Sequence, residues 1–275
     1  MRTNESSRHR LWLRIDHPRG FCVLFGIALT ILVLIFGVEG FALGAHAQEQ
    51  HDHARASYSL QRGPMQFDGG LDAYGIRHGG PIRMSVIGAS VTRGWYVTSL
   101  KQSYPAAAAR LIAKQHHHNV DWTVTALPGA TVDRVLKWTF PTSQDLIVVH
   151  VVSNDFAHGT PLSTYRIDFM ELLQKLRTGS PKAGLVCLGD WGSVGAANRW
   201  GQASYSFDQI VQRSCHAFSG TYVPINQIFA MTGTRGPIGH RSLVGLARDG
   251  FHPNNHGDAL IAQAVVAGVN GRPPT

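Results

Sequence analysis

The sequence predicts an α/β fold, a parallel sheet with helices on both faces, and two observations carry that prediction. From residue 81 onward short β-branched runs alternate with segments of helical spacing, which implies parallel strands joined by right-handed crossovers. The 275-residue chain is 44% hydrophobic and only 15% charged, enough apolar material for a sizeable core and too much for a disordered chain.

Five runs read as strands: IRMSVIG (82–88), DWTVTA (121–126), DLIVVHV (145–151), GLVCLG (184–189) and TYVPI (221–225). Between them lie helix candidates. SYPAAAARLIAKQ begins with Ser103 as a cap and Pro105 in the first turn. TVDRVLKW follows the second strand, and PLSTYRIDFMELLQKLR and YSFDQIVQRSCHAF place apolar residues at helical intervals. A last helix follows His252, capped by Asn254 or Asn255.

The start of the chain is of another kind. In residues 1–20 five arginines against Glu5 and Asp16 leave a net +3, out of +8 for the whole chain. Residues 21–38, FCVLFGIALTILVLIFGV, are eighteen uncharged residues, long enough to span a bilayer core. Ala45-His46-Ala47 then fits a signal-peptidase site, leaving a mature chain that starts near Gln48. Residues 21–45 are therefore either a cleaved signal peptide or a retained anchor, a hydrophobic helix preceding the domain. Both readings put residues 1–20 in the cytoplasm and the rest outside it, secreted or tethered; membrane contact is expected only if the segment is retained. Residues 46–80, polar and glycine-rich, read as a linker and lead-in, and residues 81–275 as the folded domain. No basic run with interleaved aromatics is present, so nucleic acid is not an expected partner. Cys22 lies in the hydrophobic segment; Cys187 and Cys215 are left either to pair outside the cytoplasm or to stay buried thiols.

In open parallel sheets ligands gather at the carboxyl ends of the strands, so the residues standing there matter most. After the first strand comes GASVTRG with Ser90, after the second LPGAT with Gly129, and after the third VSNDF with Asn154. Asp249 and His252, in DGFHPN, fall after the fifth. A serine hydroxyl needs a base to become a nucleophile, and an imidazole serves near neutral pH. A carboxylate on the other ring nitrogen fixes the tautomer. The oxyanion formed at an attacked acyl carbonyl needs donors, which the Ser90 and Gly129 N–H groups and the Asn154 amide would supply. Pro253 biases His252 toward extended backbone.

These blocks, Ser90 in IGASVTRG, Gly129 in ALPGAT, Asn154 in VVSNDF and Asp249 with His252 in DGFHPN, resemble in order those of the SGNH hydrolases, the GDSL-type lipases and esterases. The resemblance runs from about Ile82 to Ala267. It implies a flavodoxin-like three-layer sandwich with a five-stranded parallel sheet, a Ser90–His252–Asp249 triad and an oxyanion hole of Ser90, Gly129 and Asn154, with no metal or cofactor. Two positions depart from the family pattern: Ala89 stands for the acid before the nucleophile, and Val152 for the glycine of the third block. The expected function is an extracytoplasmic serine esterase acting on carboxylic esters, whether short acyl esters, O-acetylated glycans or lipids. The two departures keep open a silent glycan- or acyl-binding module for envelope assembly, and a sugar hydroxyl in place of water would make an O-acyltransferase.

Two other sequence expectations bear on the site. The loops at 189–202 and 230–247 are long enough to shape specificity, with Trp191, Trp200 and Trp95 either lining a cleft or packing the loops onto the core. The nucleophile elbow G-x-S-x-G does not fit, since Thr92 stands at the second glycine, and no G-x-G-x-x-G follows the first strand.

Overall fold

The computed structural model describes residues 65–71, 80–193, 195–235 and 250–271. Residues 21–45, the expected signal or anchor, lie outside them, as do Asp249 and residues 236–247 of the second long loop. Among the described residues no helix is long and apolar enough to cross a membrane.

Among the described residues six strands form one sheet: β1 (Met65–Leu71), β2 (Ile82–Gly88), β3 (Val120–Ala126), β4 (Leu146–His150), β5 (Gly184–Leu188) and β6 (Thr221–Val223). Their order is β1-β3-β2-β4-β5-β6. The pairings β2–β3, β2–β4, β4–β5 and β5–β6 are parallel, which gives the five predicted strands in a flavodoxin-like order. β1 is an addition. It runs antiparallel along β3, Met65 opposite Ala126 and Leu71 opposite Val120, where the sequence suggests only a lead-in. Its Gly69-Gly70 pair breaks the alternation that marks a strand, so pairing with β3 settles what local propensity does not.

The α-helices of the described residues are α1 (Ser90–Arg93), α2 (Tyr104–His116), α3 (Val132–Val135), α4 (Ser153–His158), α5 (Leu162–Gly179), α6 (Ser204–Ala217), α7 (Asn226–Ala230) and α8 (Asn255–Val269). One face of the sheet is covered by residues of α2 and α8, with Tyr104, Ile112, Ile261 and Val265 buried against Met84, Val86, Val124 and Val148. The opposite face packs α5 and α6, through Phe169, Leu172, Leu173, Phe207 and Val211, on Ile87, Ile147, Val149 and Cys187. The alternation along β2 and β4 divides these residues between two cores, as a sheet buried on both faces requires.

Cys187 on β5 and Cys215 on α6 form a disulfide, Cα to Cα 6.1 Å, which decides between the two alternatives left by the sequence. Ser103 caps α2 by position only. Its hydroxyl donates instead to the Leu100 carbonyl, and the first N–H of the helix, that of Tyr104, donates to Asp258 of α8 at 2.6 Å. A carboxyl group from another helix thus replaces the local cap and ties the chain after Ser90 to the helix after His252.

Candidate active site

β2 and β4 lie side by side at the point where strand order reverses, and parallel register brings Gly88, Ala126 and His150 to one level. The loops that leave these three positions therefore open onto the same crevice.

At the end of β2 the chain turns through Ala89 into the single turn α1, of which Ser90 is the first residue. Gly88 allows this turn: a Cβ there would collide with the Thr92 side chain and stand 2.8 Å from the His150 carbonyl oxygen. Being first in its helical turn, Ser90 has an N–H with no acceptor inside the helix. After β3, Leu127-Pro128-Gly129-Ala130 makes a turn closed by Ala130 N–H donating to the Leu127 carbonyl at 3.1 Å. Gly129 sits at φ +75°, the left-handed position that a proline-glycine turn of this kind needs, and its own N–H takes no part in the turn's hydrogen bond.

After β4 come Val151, Val152 and then α4, which carries Asn154 in its first turn. Val152 adopts φ −149° and ψ −46°, so the position does not require the positive φ that only glycine takes readily. The Asn154 Nδ2 donates to the Ala130 carbonyl at 3.0 Å, linking the second and third loops; the amide's other N–H faces no partner named among the described residues. Asp155, beside it, is structural as its position suggests: it accepts from Val132 N–H at 2.9 Å and from the Thr160 hydroxyl at 3.0 Å. Burial pushes its carboxyl up to about 7 against those hydrogen bonds.

His252 arrives from the far end of the chain. Asn254 secures its loop, its backbone N–H donating to Thr234 O at 3.1 Å and its Nδ2 to Gly233 O at 2.9 Å. The Asn254 Oδ1 also accepts from His256 and Gly257 N–H, capping α8, so of the two expected caps Asn254 is the one used. Asn255 instead holds the loop after α1, accepting from Thr98 N–H at 3.0 Å. The result is a His252 Nε2 to Ser90 Oγ separation of 2.8 Å. Trp95 and Tyr96 lie nearly parallel to the imidazole, ring centroids 5.9 and 5.7 Å away, and Phe251 meets it edge-on at 5.2 Å.

Ser90, Gly129, Asn154 and His252 all line one cavity of about 420 Å³, with Trp95, Pro128, Val152, Ala157 and Phe251 as its apolar walls. Four of the five residues expected at the site are thus brought together; the fifth, Asp249, lies outside the described residues. Of the three tryptophans, only Trp95 lines the cavity. Trp191 is fully buried, and Trp200 packs against Gly159 with Arg199 over its ring at 3.9 Å.

Two further residues stand at or beside the site, His150 in the cavity wall and Asp190 behind it. His150, last in β4, is buried at the cavity wall, and burial lowers its pKa to about 4, so it is neutral at neutral pH. Asp190 follows β5 at the same rim and accepts from the Ser153 hydroxyl at 2.7 Å; burial raises its carboxyl to about 6. The signal for both is the rule that located Ser90, since each stands at or just past a strand's carboxyl end.

The arrangement places a hydroxyl against an imidazole with three potential oxyanion donors nearby, which is the chemistry of acyl transfer. Comparison with known proteins agrees. Similar solved structures include Axe2, an acetylxylan esterase from Geobacillus stearothermophilus, 15% identical, covering 70% of this chain and 95% of that one with a TM-score of 0.52. Another is a carbohydrate esterase family 2 enzyme with its carbohydrate-binding domain from Corynascus thermopiles (Myceliophthora fergusii), 15% identical, covering 71% and 69% of the two chains, TM-score 0.52. LAE5, an α/β hydrolase enzyme from the metagenome of Lake Arreo, Spain, is 17% identical over 70% of this chain and 97% of its own, TM-score 0.52. At these identities the likeness is one of fold. A search of curated proteins finds no match. The model of the GDSL-like lipase/acylhydrolase family matches residues 86–260, most of the chain and every site residue above, and the chain is a member of that family, an ester-hydrolysing enzyme.

Proposed function

We propose that this enzyme is an extracytoplasmic serine esterase that removes short acyl groups, acetyl above all, from hydroxylated substrates such as glycans. The observation that carries the catalytic part is the 2.8 Å contact between Ser90 Oγ and His252 Nε2. In the first step His252 Nε2 takes the Ser90 proton as Oγ attacks the ester carbonyl, and the carbonyl oxygen becomes an oxyanion held by Ser90 N–H, Gly129 N–H and Asn154 Nδ2. His252 then gives that proton to the departing alcohol oxygen, leaving an acyl group on Ser90. Water, deprotonated by His252, attacks the acyl carbon, and the proton returns to Ser90 Oγ. For Nε2 to accept, the neutral imidazole must carry its proton on Nδ1, and Asp249, three residues earlier, is the carboxylate assigned to hold it there.

The short-acyl, glycan part of the reading rests on the cavity: apolar walls of modest extent beside Asn154 and Ser153, with Trp95 at hand for the face of a sugar ring. Two neighbours in fold are an acetylxylan esterase and a carbohydrate esterase, which agrees with it. The test is acetate release from acetylated xylooligosaccharides beside hydrolysis of p-nitrophenyl esters of graded length. Turnover highest on acetyl esters supports the reading; turnover rising with chain length to palmitoyl would replace it with a lipase. A sugar acceptor that diverts acyl groups from water would make the enzyme a transferase.

The extracytoplasmic part rests on residues 21–45 and is supported by the Cys187–Cys215 disulfide, a bond that persists in oxidising compartments. Thiol trapping in intact cells checks it: both cysteines should be unavailable to alkylation, and reduced thiols would contradict the assignment.

A further inference from the structure

Behind the cavity, two consecutive residues touch both halves of the catalytic apparatus. Asp190 and Trp191 leave the end of β5, and both are buried, at 2% and 0% exposure. The Trp191 indole Nε1–H donates to the Phe251 carbonyl at 2.7 Å, and Phe251 is the residue before His252. The Trp191 backbone N–H donates to Ser153 Oγ at 3.3 Å, and Ser153 Oγ donates to Asp190 Oδ1 at 2.7 Å; Ser153 is the residue before Asn154. Asp190 is fixed in turn by its own N–H, which donates to Asp208 Oδ1 of α6 at 2.8 Å. The indole ring is held edge-on by Phe229 at 5.4 Å.

The residue preceding the base and the residue preceding the third oxyanion donor are therefore bonded to the same dipeptide, which follows a strand that contributes no group to the chemistry. Neither Asp190 nor Trp191 lines the cavity, so neither touches substrate. We propose that Asp190 and Trp191 are positioning residues: Trp191 sets His252 through the Phe251 carbonyl, Asp190 sets Asn154 through Ser153, and together they fix the spacing between base and oxyanion hole. An error of about 1 Å in such spacing costs on the order of a hundred-fold in rate, which is why a buried, rigid link across the site has catalytic value. The inference rests on the assignment of Ser90, His252 and Asn154 to acyl transfer.

The test uses the full chain with β-(3-benzothienyl)alanine at position 191, an isostere of tryptophan in which sulfur replaces the N–H and the buried volume is kept. The expected result is a kcat for p-nitrophenyl acetate ten- to a hundred-fold lower, with KM within two-fold and the melting temperature within a few degrees of the parent. Labelling of Ser90 by a fluorophosphonate should slow in proportion. Asp190→Asn, which still accepts from Ser153, should retain most of the rate, and Asp190→Ala should lose it as the position 191 variant does. A folded benzothienyl variant as fast as the parent, or an Asp190→Ala variant with unchanged kcat, overturns the inference while leaving the esterase intact. A parent protein that hydrolyses no ester overturns both.

Discussion

Ser90 and His252, separated by 162 positions in the chain, meet at 2.8 Å because each stands at the rim of the same sheet on a segment fastened to the other's. The fastening is visible in two bonds, from Tyr104 N–H to Asp258 and from Thr98 N–H to Asn255, both joining the chain just after Ser90 to the helix just after His252. Loss of the Asp258 acceptor should therefore do more than lower stability. Asp258→Asn keeps an oxygen that can accept from Tyr104 N–H, and burial, which pushes the Asp258 carboxyl upward, disfavours the charge the amide lacks, so a modest effect is expected. Asp258→Leu removes the acceptor from a buried N–H and should cost about 1–3 kcal/mol by chemical denaturation, with kcat falling as well.

Asn154→Ala should lower kcat by about 10²–10³, the equivalent of 2.7–4 kcal/mol for one oxyanion donor, with KM nearly unchanged because the donor matters in the transition state. Steady-state kinetics on p-nitrophenyl acetate check this. Since Asn154 also ties its loop to Ala130, the structure of the variant should show that the 3.0 Å bond was the only one lost.

Gly129→Ala is a test of backbone rather than of space. A Cβ there meets nothing within 4 Å, so no clash arises, but the φ of +75° is unfavourable to alanine by about 1–2 kcal/mol. A loss of that size is expected in urea denaturation, together with lower kcat as the turn relaxes and the Gly129 N–H swings away.

The dependence of stability on pH contains two opposed contributions. Asp155 has a folded pKa of about 7, raised by burial above its unfolded value near 4. The folded state binds its proton more tightly, so this contribution is full below about pH 4 and is lost as pH rises through 7. His150, lowered by burial to about 4, acts in the other direction: its contribution is present above its unfolded pKa near 6.5 and is lost as pH falls through 4. Melting curves from pH 4 to 8 should show the parent losing ground to Asp155→Asn as pH rises, and losing ground to His150→Leu as pH falls.

Reduction of the Cys187–Cys215 bond, or its replacement by Cys187→Ser with Cys215→Ser, should lower stability by about 3–4 kcal/mol, from the entropy of a loop that spans 28 positions. Both cysteines are buried in the core between β5 and α6 and neither lines the cavity, so kcat of the remaining folded protein should hold.

What the sequence discloses of this molecule follows the range of each interaction. The five parallel strands and the rim residues Ser90, Gly129 and Asn154 are legible because β-branched runs and the residues after them are neighbours in the chain, and His252 is legible from its DGFHPN block just before the last helix. β1 is not, because its glycines conceal a strand that only β3 makes. The replacement of the Ser103 cap by Asp258 is equally hidden, a contact across 154 positions. Trp191 illustrates the same limit: a tryptophan in a loop after a strand reads as readily for a cleft as for a core, and its burial against Phe229 and its bond to Phe251 are tertiary facts. Val152 stands where the family has glycine, and its φ is negative, an angle no residue name reveals.

The most direct measurement is hydrolysis of p-nitrophenyl acetate by the purified full-length chain beside its Ser90→Ala variant. Turnover by the parent and a loss on the order of 10⁶-fold, to the solution background, is the expected result. A folded Ser90→Ala protein that hydrolyses the ester at the parent's rate would contradict Ser90 as the nucleophile and, with it, the mechanism built on its contact with His252.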